Sequence, residues 1–279
     1  MLLERIDAGA LTAALPRGER ERLGLPPRPA SGGEDYLFVV NQNFLASYVG
    51  VIGVALAPLL YLMSFAGICA YDSLSHYYFA PFAGDLFVGS LAVVGALMLA
   101  YKGRAAWESR LANFGGVMAF GVAATPTTGD GCEAGTHPAR LFATVADGAP
   151  GPAAESAFRL FEGVGLLHGL FAGALFTALM IYAFVVFPRV DDARHRVGGL
   201  PGGALTRAKR IRNGLYYASG AAMAASVGLV ILGLATGWDE SAAWRKWNVT
   251  FWAEGVALGA FGASWLVRGH FFDRALADR

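Results

Sequence analysis

Six long apolar runs, almost free of charged residues, follow one another between Phe44 and Val267. They extend from about Phe44 to Ala70, Gly84 to Tyr101, Leu111 to Gly129, Gly163 to Pro188, Asn213 to Trp238 and Trp247 to Val267. A transmembrane helix needs roughly 20 mostly apolar residues to cross a hydrocarbon core about 30 Å thick. A transmembrane β-barrel would instead show alternating segments of about 10 residues. The pattern therefore predicts an all-α membrane protein with six transmembrane helices.

The overall composition supports the same class of protein. Of the 279 residues, 55% are hydrophobic and 15% are charged, which is too apolar and too sparsely charged for an ordinary soluble domain. The formal net charge is +1, and no nucleic-acid-binding motif is present, so we expect no nucleic-acid partner. Membrane lipid is the partner that the composition predicts.

The distribution of Lys and Arg predicts the orientation, because cytoplasmic loops retain basic residues. If the N-terminus is inside, the four inner segments hold 18 of the 22 Lys and Arg residues, and the three outer loops hold the other four. We therefore expect a multi-pass protein of the cell inner (cytoplasmic) membrane with both termini cytoplasmic.

This topology divides the chain into three regions. Residues 1–43 form a cytoplasmic tail whose alternating apolar and charged residues fit either a short interfacial helix or a disordered segment. Residues 44–270 form the six-helix domain, and its long outer loop 126–162 has the helical spacing of apolar residues expected of a lid on the membrane face. Residues 271–279 form a second cytoplasmic tail. Cys69 and Cys132 fall on the outer side, where they are either a disulfide or two unrelated small residues.

A polar stretch interrupts the apolar pattern between Cys69 and Gly89. At a rise of about 1.5 Å per residue, Glu254 lies about 10 Å and His168 about 8 Å below the outer surface. An ionisable group at that depth is costly unless it pairs or faces a wet cavity. We therefore predict one outward-opening polar pocket. Its predicted members are Ser73, Ser75, His76, Asp85, His168 and Glu254, with Asp130 and His137 from the lid.

Two interpretations of this pocket are open. His76, His137 and His168 could bind zinc with an open position, although no HExxH-type spacing supports this. In that case Asp85 or Glu254 would be a ligand or general base. Alternatively, Glu254 and His168 form a structural pair that fixes the register of two helices.

Glycines recur in the fourth and sixth runs. Gly165, Gly169 and Gly173 are spaced by four residues, and Gly255, Gly259 and Gly262 accompany Glu254. Small residues at such spacing let another helix approach closely. These faces are therefore candidate surfaces for a partner helix or a homo-oligomer.

Several motifs resemble one prokaryotic membrane family. They are the runs Ser73–Tyr78, Asp85–Gly89 and Ala100–Gly103, then His168, and finally Glu254 with Phe261–Trp265. Together they are similar to the family catalogued as domain of unknown function 998, over about residues 45–270. The resemblance implies a six-helix membrane domain and no established activity.

A second likeness is to the alkaline ceramidase and progestin-receptor-type superfamily. These membrane metal hydrolases place a Ser, a His and an Asp around the second and third spans, and Ser75, His76 and Asp85 are similar in type and order. That superfamily has seven spans and an HxxxH motif in the last one, where this chain has Glu254. The resemblance implies hydrolysis with a bound metal such as zinc.

Three functions are compatible with these observations. The first is a metal-dependent hydrolase of a lipid-like amide or ester, in which Ser75, Asp85 and Glu254 are catalytic and His76, His137 and His168 bind the metal. The second is a proton-linked carrier or lipid-binding protein that uses Glu254 and His168. The third is a non-catalytic assembly subunit whose glycine faces contact a partner. The residue types favour the first.

Overall fold

The computed structural model describes residues 41–66, 70–127, 164–190, 195–199 and 203–271. Six long helices dominate them. These helices are α1 (Gln42–Met63), α2 (Pro81–Ala100), α3 (Ala106–Ala124), α4 (Val164–Ile181), α5 (Arg207–Thr236) and α7 (Val249–Arg268), with the short α6 (Ala242–Lys246) before the last. The described residues contain one isolated β-bridge, between Arg196 and Leu205, and no sheet. The prediction of an all-α fold is confirmed.

The long helices form a closed up-and-down ring. Each packs against its neighbour along the chain, α5 packs against α7, and α7 packs against α1. The hydroxyl of Ser47 in α1 donates to the carbonyl of Gly269 after α7 at 3.2 Å, and the N–H of Lys102 after α2 donates to the side chain of Gln42 at 2.6 Å. The start of α1 therefore lies beside the ends of α2 and α7.

Four segments are long and apolar enough to cross a membrane. They are Gln42–Ala66, Phe82–Ala100, Gly165–Val186 and Arg207–Thr236. The helices α3 and α7 have 19 and 20 residues but contain charged side chains, including Glu108 and Glu254. Four apolar helices indicate a membrane protein, in agreement with the sequence pattern.

The helix α3 begins earlier than its apolar run predicts, at Ala106 instead of Leu111. The reason is Glu108, whose Oε2 accepts a hydrogen bond from the backbone N–H of Arg104 at 2.7 Å. This carboxylate caps the first turn, where N–H groups have no partner within the helix. A charge therefore stabilises the helix start while it lowers the hydropathy of the same residues.

The bounds of α5 and α1 differ from their runs for similar local reasons. At the start of α5 the hydroxyl of Thr206 accepts from the N–H of Lys209 at 3.2 Å, so this helix begins at Arg207, before the apolar run. At the end of α1 the hydroxyl of Ser64 donates to the carbonyl of Tyr61 at 2.6 Å, and a 3₁₀ turn replaces the α-helix. Hydropathy thus identifies the apolar part of a helix better than it identifies the residues at which the helix begins and ends.

Three predicted features lie outside the described residues. They are the N-terminal tail up to residue 40, the C-terminal tail from residue 272, and the lid in loop 126–162 beyond its first two residues. Cys69 and Cys132 also lie outside them, so the predicted disulfide stays a prediction.

Glycines allow α1 and α7 to approach at backbone distance. A Cβ atom added to Gly262 of α7 would lie 2.5 Å from the backbone nitrogen of Val54 and 2.6 Å from the carbonyl oxygen of Gly50. One added to Gly53 would lie 2.9 Å from the Cα of Gly262. Only glycine fits here, because the opposing atoms belong to a helix backbone and cannot rotate away.

Gly169 and Gly173 of the fourth run take no part in such a contact. A Cβ atom added to Gly169 or Gly173 would meet no atom within 4 Å. His168, beside them in α4, is buried with 3% exposure. The helix therefore turns the histidine inward and Gly169 and Gly173 outward, and their role as a partner surface stays a prediction.

We expect Gly262→Ala to destabilise the protein and Gly259→Ala to be tolerated. The added methyl group at position 262 collides with the α1 backbone, and overpacking of this kind costs about 1–3 kcal/mol. Gly259 lies on the same helix, and a Cβ atom there would meet nothing within 4 Å. Thermal unfolding of the detergent-purified variants measures the difference. Equal midpoints for the two variants would contradict the close α1–α7 packing.

Candidate functional site

The candidate site is built on residues 70–80, which connect α1 to α2 and contact the starts of α4 and α7. The backbone N–H of Phe251 in α7 donates to the carbonyl of Asp72 at 2.8 Å. Leu74 and Tyr77 are fully buried, and the ring of Tyr77 lies 6.2 Å from that of Phe251. These contacts hold the polar residues of the segment at the end of the bundle where α3 ends and α4 and α7 begin.

Ser75 and His168 form a hydrogen-bonded pair. The Nδ1 atom of His168 lies 2.6 Å from the carbonyl oxygen of Thr125, and its Nε2 atom lies 3.1 Å from the Oγ atom of Ser75. Because a carbonyl oxygen only accepts, Nδ1 carries the proton in the neutral imidazole. The lone pair of Nε2 then accepts the Ser75 hydroxyl proton. A hydroxyl, a base and a third group that orients the base are the parts of an activated nucleophile.

Local structure explains how these three residues meet. Thr125 directly follows α3, and the last carbonyls of a helix have no partner within it. His168 lies in the second turn of α4, with its side chain inside the bundle. Ser75 starts a 3₁₀ turn and is only half-buried. Of the pair, the hydroxyl is therefore the group nearer to the surface.

Glu254 of α7 binds the same segment one and two residues before Ser75. Its Oε2 atom accepts from the Ser73 hydroxyl at 2.8 Å and from the backbone N–H of Leu74 at 2.6 Å. The Oγ atom of Ser73 in turn accepts from the N–H of Ser75 at 3.1 Å. The carboxylate therefore fixes the stretch of backbone from which Ser75 projects.

Asp72 and His76 form an ion pair at the surface of the segment. The Nδ1 atom of His76 lies 2.6 Å from the Oδ1 atom of Asp72. This hydrogen bond lowers the pKa of the Asp72 carboxyl. The Asp72 side chain is half exposed, and ion pairs exposed to water contribute about 1 kcal/mol or less. The pair therefore stabilises the 3₁₀ turn locally.

The structure brings some predicted site residues together and separates others. The connected group consists of Ser73, Ser75, His168 and Glu254. Asp85 occupies an exposed position on α2. Asp130 and His137 lie outside the described residues.

The predicted pair between Glu254 and His168 does not form. Both ring nitrogens of His168 bond to Thr125 and Ser75, and the carboxylate of Glu254 bonds to Ser73 and Leu74. Helical rise places the two side chains at one level. It does not account for the connecting segment, which supplies nearer partners to each of them.

The described residues do not assemble the predicted three-histidine zinc site. They contain no group of three or more His, Cys, Asp or Glu side chains suited to a metal ion. His168 uses both of its ring nitrogens in hydrogen bonds to the protein, and the Nδ1 atom of His76 faces Asp72. The donor set in this part of the chain does not fit a zinc ion, and the third predicted ligand, His137, lies beyond it.

Two cavities among the described residues lie away from this group. One is lined by residues at the end of α5 and the turn after it, from Leu232 to Ser241. The other has basic residues such as Lys209 in its wall and lies at the opposite end of the bundle. Neither includes Ser75 or Glu254. The predicted outward-opening pocket therefore stays a prediction, and the predicted lid lies outside the described residues.

Sequence reasoning missed Thr125 and Glu108. Thr125 acts through its carbonyl group, and the available signal was its position at a helix end directly before a proline. Glu108 is 2% exposed, and its Oε1 atom accepts from Arg189 at 2.7 Å. The sequence feature that could have identified Glu108 was its place as a lone carboxylate three residues before an apolar run, where a glutamate can cap a helix start.

No family model matches the chain, and no curated protein or solved structure is significantly similar to it. The two family likenesses stay predictions. Its function is therefore inferred from the geometry of the Ser75–His168 pair and of Glu254.

We expect Glu254→Ala to lower stability more than Glu254→Gln. Removal of the carboxylate leaves the Ser73 hydroxyl and the Leu74 N–H without an acceptor, which costs about 1–3 kcal/mol. Glutamine keeps one oxygen that can accept both hydrogen bonds. Thermal unfolding in detergent measures the order of the midpoints. If both variants unfold like the wild type, Glu254 does not hold the segment.

Proposed function

We propose that the chain spans the membrane six times with both termini in the cytoplasm. Four helices are apolar enough by themselves, and α3 and α7 pack against them as members of the same ring. The ends that would face the cytoplasm carry Arg104, Arg110, Arg189, Lys209 and Arg268. This distribution follows the rule that basic residues stay inside, and it favours the cytoplasmic membrane as the location.

A reporter fused after Gly237 distinguishes six spans from four. With six spans Gly237 is outside, so a phosphatase domain fused there is active and a green fluorescent domain is dark. If α3 and α7 do not cross, Gly237 lies on the same side as the N-terminus, and the two activities are exchanged. Fusions after Gly103 are the control, because both arrangements place Gly103 inside.

We propose that the protein hydrolyses a lipid-like ester or amide, with Ser75 as nucleophile and His168 as base. The observation that carries this proposal is the 3.1 Å contact between Ser75 Oγ and His168 Nε2, with Nδ1 held by Thr125. A buried imidazole in a fixed tautomer is prepared to accept one proton from one hydroxyl. The Thr125 carbonyl takes the orienting role that a carboxylate has in the Ser-His-Asp triad.

The proposed reaction is acyl transfer in two steps. The Oγ atom of Ser75 bonds to the substrate carbonyl carbon while its proton passes to Nε2 of His168. The bond to the leaving alcohol or amine then breaks, and the leaving group takes that proton. Water hydrolyses the acyl-serine with His168 again as base, which releases the acid and restores the hydroxyl.

The helix ends near Ser75 suggest an apolar substrate. Phe65 after α1, Phe82 in the first turn of α2 and Leu166 in the first turn of α4 are all more than half exposed. Large apolar side chains at this level would contact lipid chains. A substrate with an acyl chain could therefore reach the serine from the membrane.

A second candidate is a non-catalytic membrane subunit. It is favoured by the fact that Ser73, His168 and Glu254 all bind groups within the chain. In this reading the same hydrogen bonds only fix the segment 70–80 to α4 and α7. Hydroxyl reactivity distinguishes the two candidates without knowledge of the substrate.

We expect a fluorophosphonate probe with an alkyl chain to label Ser75 covalently in the detergent-purified protein. The probe reports an activated serine hydroxyl, so Ser75→Ala should abolish labelling. His168→Ala should slow it by about 10²–10⁴-fold, the usual contribution of a general base. Mass spectrometry of the labelled peptide identifies the residue.

Ser64→Ala is the matched control, because Ser64 follows α1 at the same end of the bundle and bonds only to a carbonyl of its own helix. It should label like the wild type. Thermal midpoints of all variants show that each is folded. Wild-type protein that resists the probe, or Ser75→Ala protein that still reacts, would overturn the hydrolase proposal and favour the structural role.

A further inference from the structure

An open cleft lies where α5 ends and the chain turns towards α6. Its wall is formed by the last turn of α5 and the residues that follow it: Leu232, Thr236, Gly237, Trp238, Glu240 and Ser241. The cleft, here called the α5 cleft, has a volume of about 720 Å³. Sites for small molecules have volumes of about 300–1,000 Å³. Neither Ser75 nor His168 lines it, so its ligand is a question separate from the proposed hydrolase.

The turn that forms the α5 cleft is held by packing. Gly237 ends α5 in the left-handed conformation, with a φ of 70° and a ψ of 15°, which glycine adopts without strain. Trp244 of α6 is 7% exposed and packs on α5, because a Cβ atom added to Gly233 would lie 2.7 Å from its Cη2 atom. The ring of Trp238 lies 6.1 Å from that of Trp244. The wall of the cleft is therefore a fixed part of the fold.

The polar edge of the α5 cleft is acidic and aromatic. Glu240 is the one charged side chain in its wall. Within the described part of the chain, the carboxylate of Glu240 forms no ion pair and no hydrogen bond. Trp238 in the same wall is 56% exposed. A carboxylate and an exposed indole ring both attract an ammonium group, so this edge fits a cation.

The α5 cleft continues onto an exposed apolar stripe of α5. Leu232 in the wall is 51% exposed, and Leu229 in the preceding turn is 37% exposed. A Cβ atom added to Gly228 would meet nothing within 4 Å. These residues lie on one face of the helix with Thr236, as residues three and four apart do. The stripe belongs to a segment, Arg207–Thr236, that is apolar enough to cross a membrane, so it fits an acyl chain.

Arg245 of α6 lies close to the acidic edge but binds its backbone. Its Nη2 atom donates to the carbonyl oxygen of Glu240 at 2.8 Å, and its side chain is exposed and does not line the cleft. A zwitterionic headgroup carries a phosphate a few bonds from its ammonium group, and this phosphate would meet Arg245. A headgroup with a phosphate and no ammonium would leave the carboxylate of Glu240 beside another negative charge. The charges around the cleft therefore fit a zwitterionic headgroup better than an anionic one.

We propose that the α5 cleft binds a zwitterionic phospholipid. The ammonium group contacts Trp238 and Glu240, and the phosphate group faces Arg245. One acyl chain lies along the exposed stripe at Leu232. The apolar length of α5 ends at Thr236, which is the level at which the headgroup of a phospholipid begins. Tryptophan is enriched at this level in membrane proteins.

The test compares lipid binding by the full-length protein with binding by two pairs of variants. Trp238→Ala and Glu240→Gln change the wall of the cleft. Trp247→Ala and Asp239→Asn are the matched controls, because Trp247 is 68% exposed, Asp239 is next to Glu240, and neither lines the cleft. Delipidated protein in detergent is titrated with phosphatidylethanolamine, phosphatidylcholine or phosphatidylglycerol of identical acyl chains. Native mass spectrometry counts the bound lipid, and thermal unfolding shows that each variant is folded.

We expect wild type and both control variants to bind phosphatidylethanolamine or phosphatidylcholine in preference to phosphatidylglycerol. Each wall variant should bind about fivefold more weakly, the contribution of one cation–π contact or one charge-assisted hydrogen bond. If Trp238→Ala does not fold, Glu240→Gln carries the comparison, because Glu240 is exposed. Preference for phosphatidylglycerol, equal binding by wall and control variants, or absence of bound lipid overturns the proposal.

Discussion

One carboxylate oxygen holds the end of the bundle at which Ser75 stands. Oε2 of Glu254 accepts from a side chain and from the backbone of the segment between α1 and α2. The same segment gives the carbonyl of Asp72 to the first turn of α7. These bonds join the start of α7 to the segment between α1 and α2, so this end of the bundle is one hydrogen-bonded unit. Without them the 3.1 Å contact between Ser75 and His168 has no fixed support.

At both ends of the ring, polar groups find hydrogen-bonding partners within the protein, but the partner groups differ between the two ends. A polar group next to the hydrocarbon core needs a partner within the protein, because lipid offers none. At the Ser75 end the partners are hydroxyls, an imidazole and a carbonyl left over at the end of α3. At the other end they are cations, tyrosines and the capping carboxylate of Glu108.

Close backbone contact lets this ring form. Gly50, Gly53 and Gly262 bring α1 and α7 together at a distance that no side chain would allow. Because α7 carries Glu254 eight residues before Gly262, the glycine contact also sets the position of the carboxylate along the bundle. Packing in the middle of the bundle and hydrogen bonding at its end therefore depend on each other.

The amino-acid sequence by itself determined the class of protein and the number of long helices among the described residues. Apolar length and the positions of Lys and Arg are properties of single segments, and they are legible without any neighbour. His168 and Glu254 were also recognisable as unusual, since each is ionisable within an apolar run, and Ser75 lies in the polar stretch between two such runs. Their partners were decided only by the tertiary structure. Thr125 contributes a backbone carbonyl, which no residue type reveals, and the segment 70–80 separates Glu254 from His168. Hydrogen bonds join groups that are distant in the chain, and only packing brings these groups to hydrogen-bonding distance.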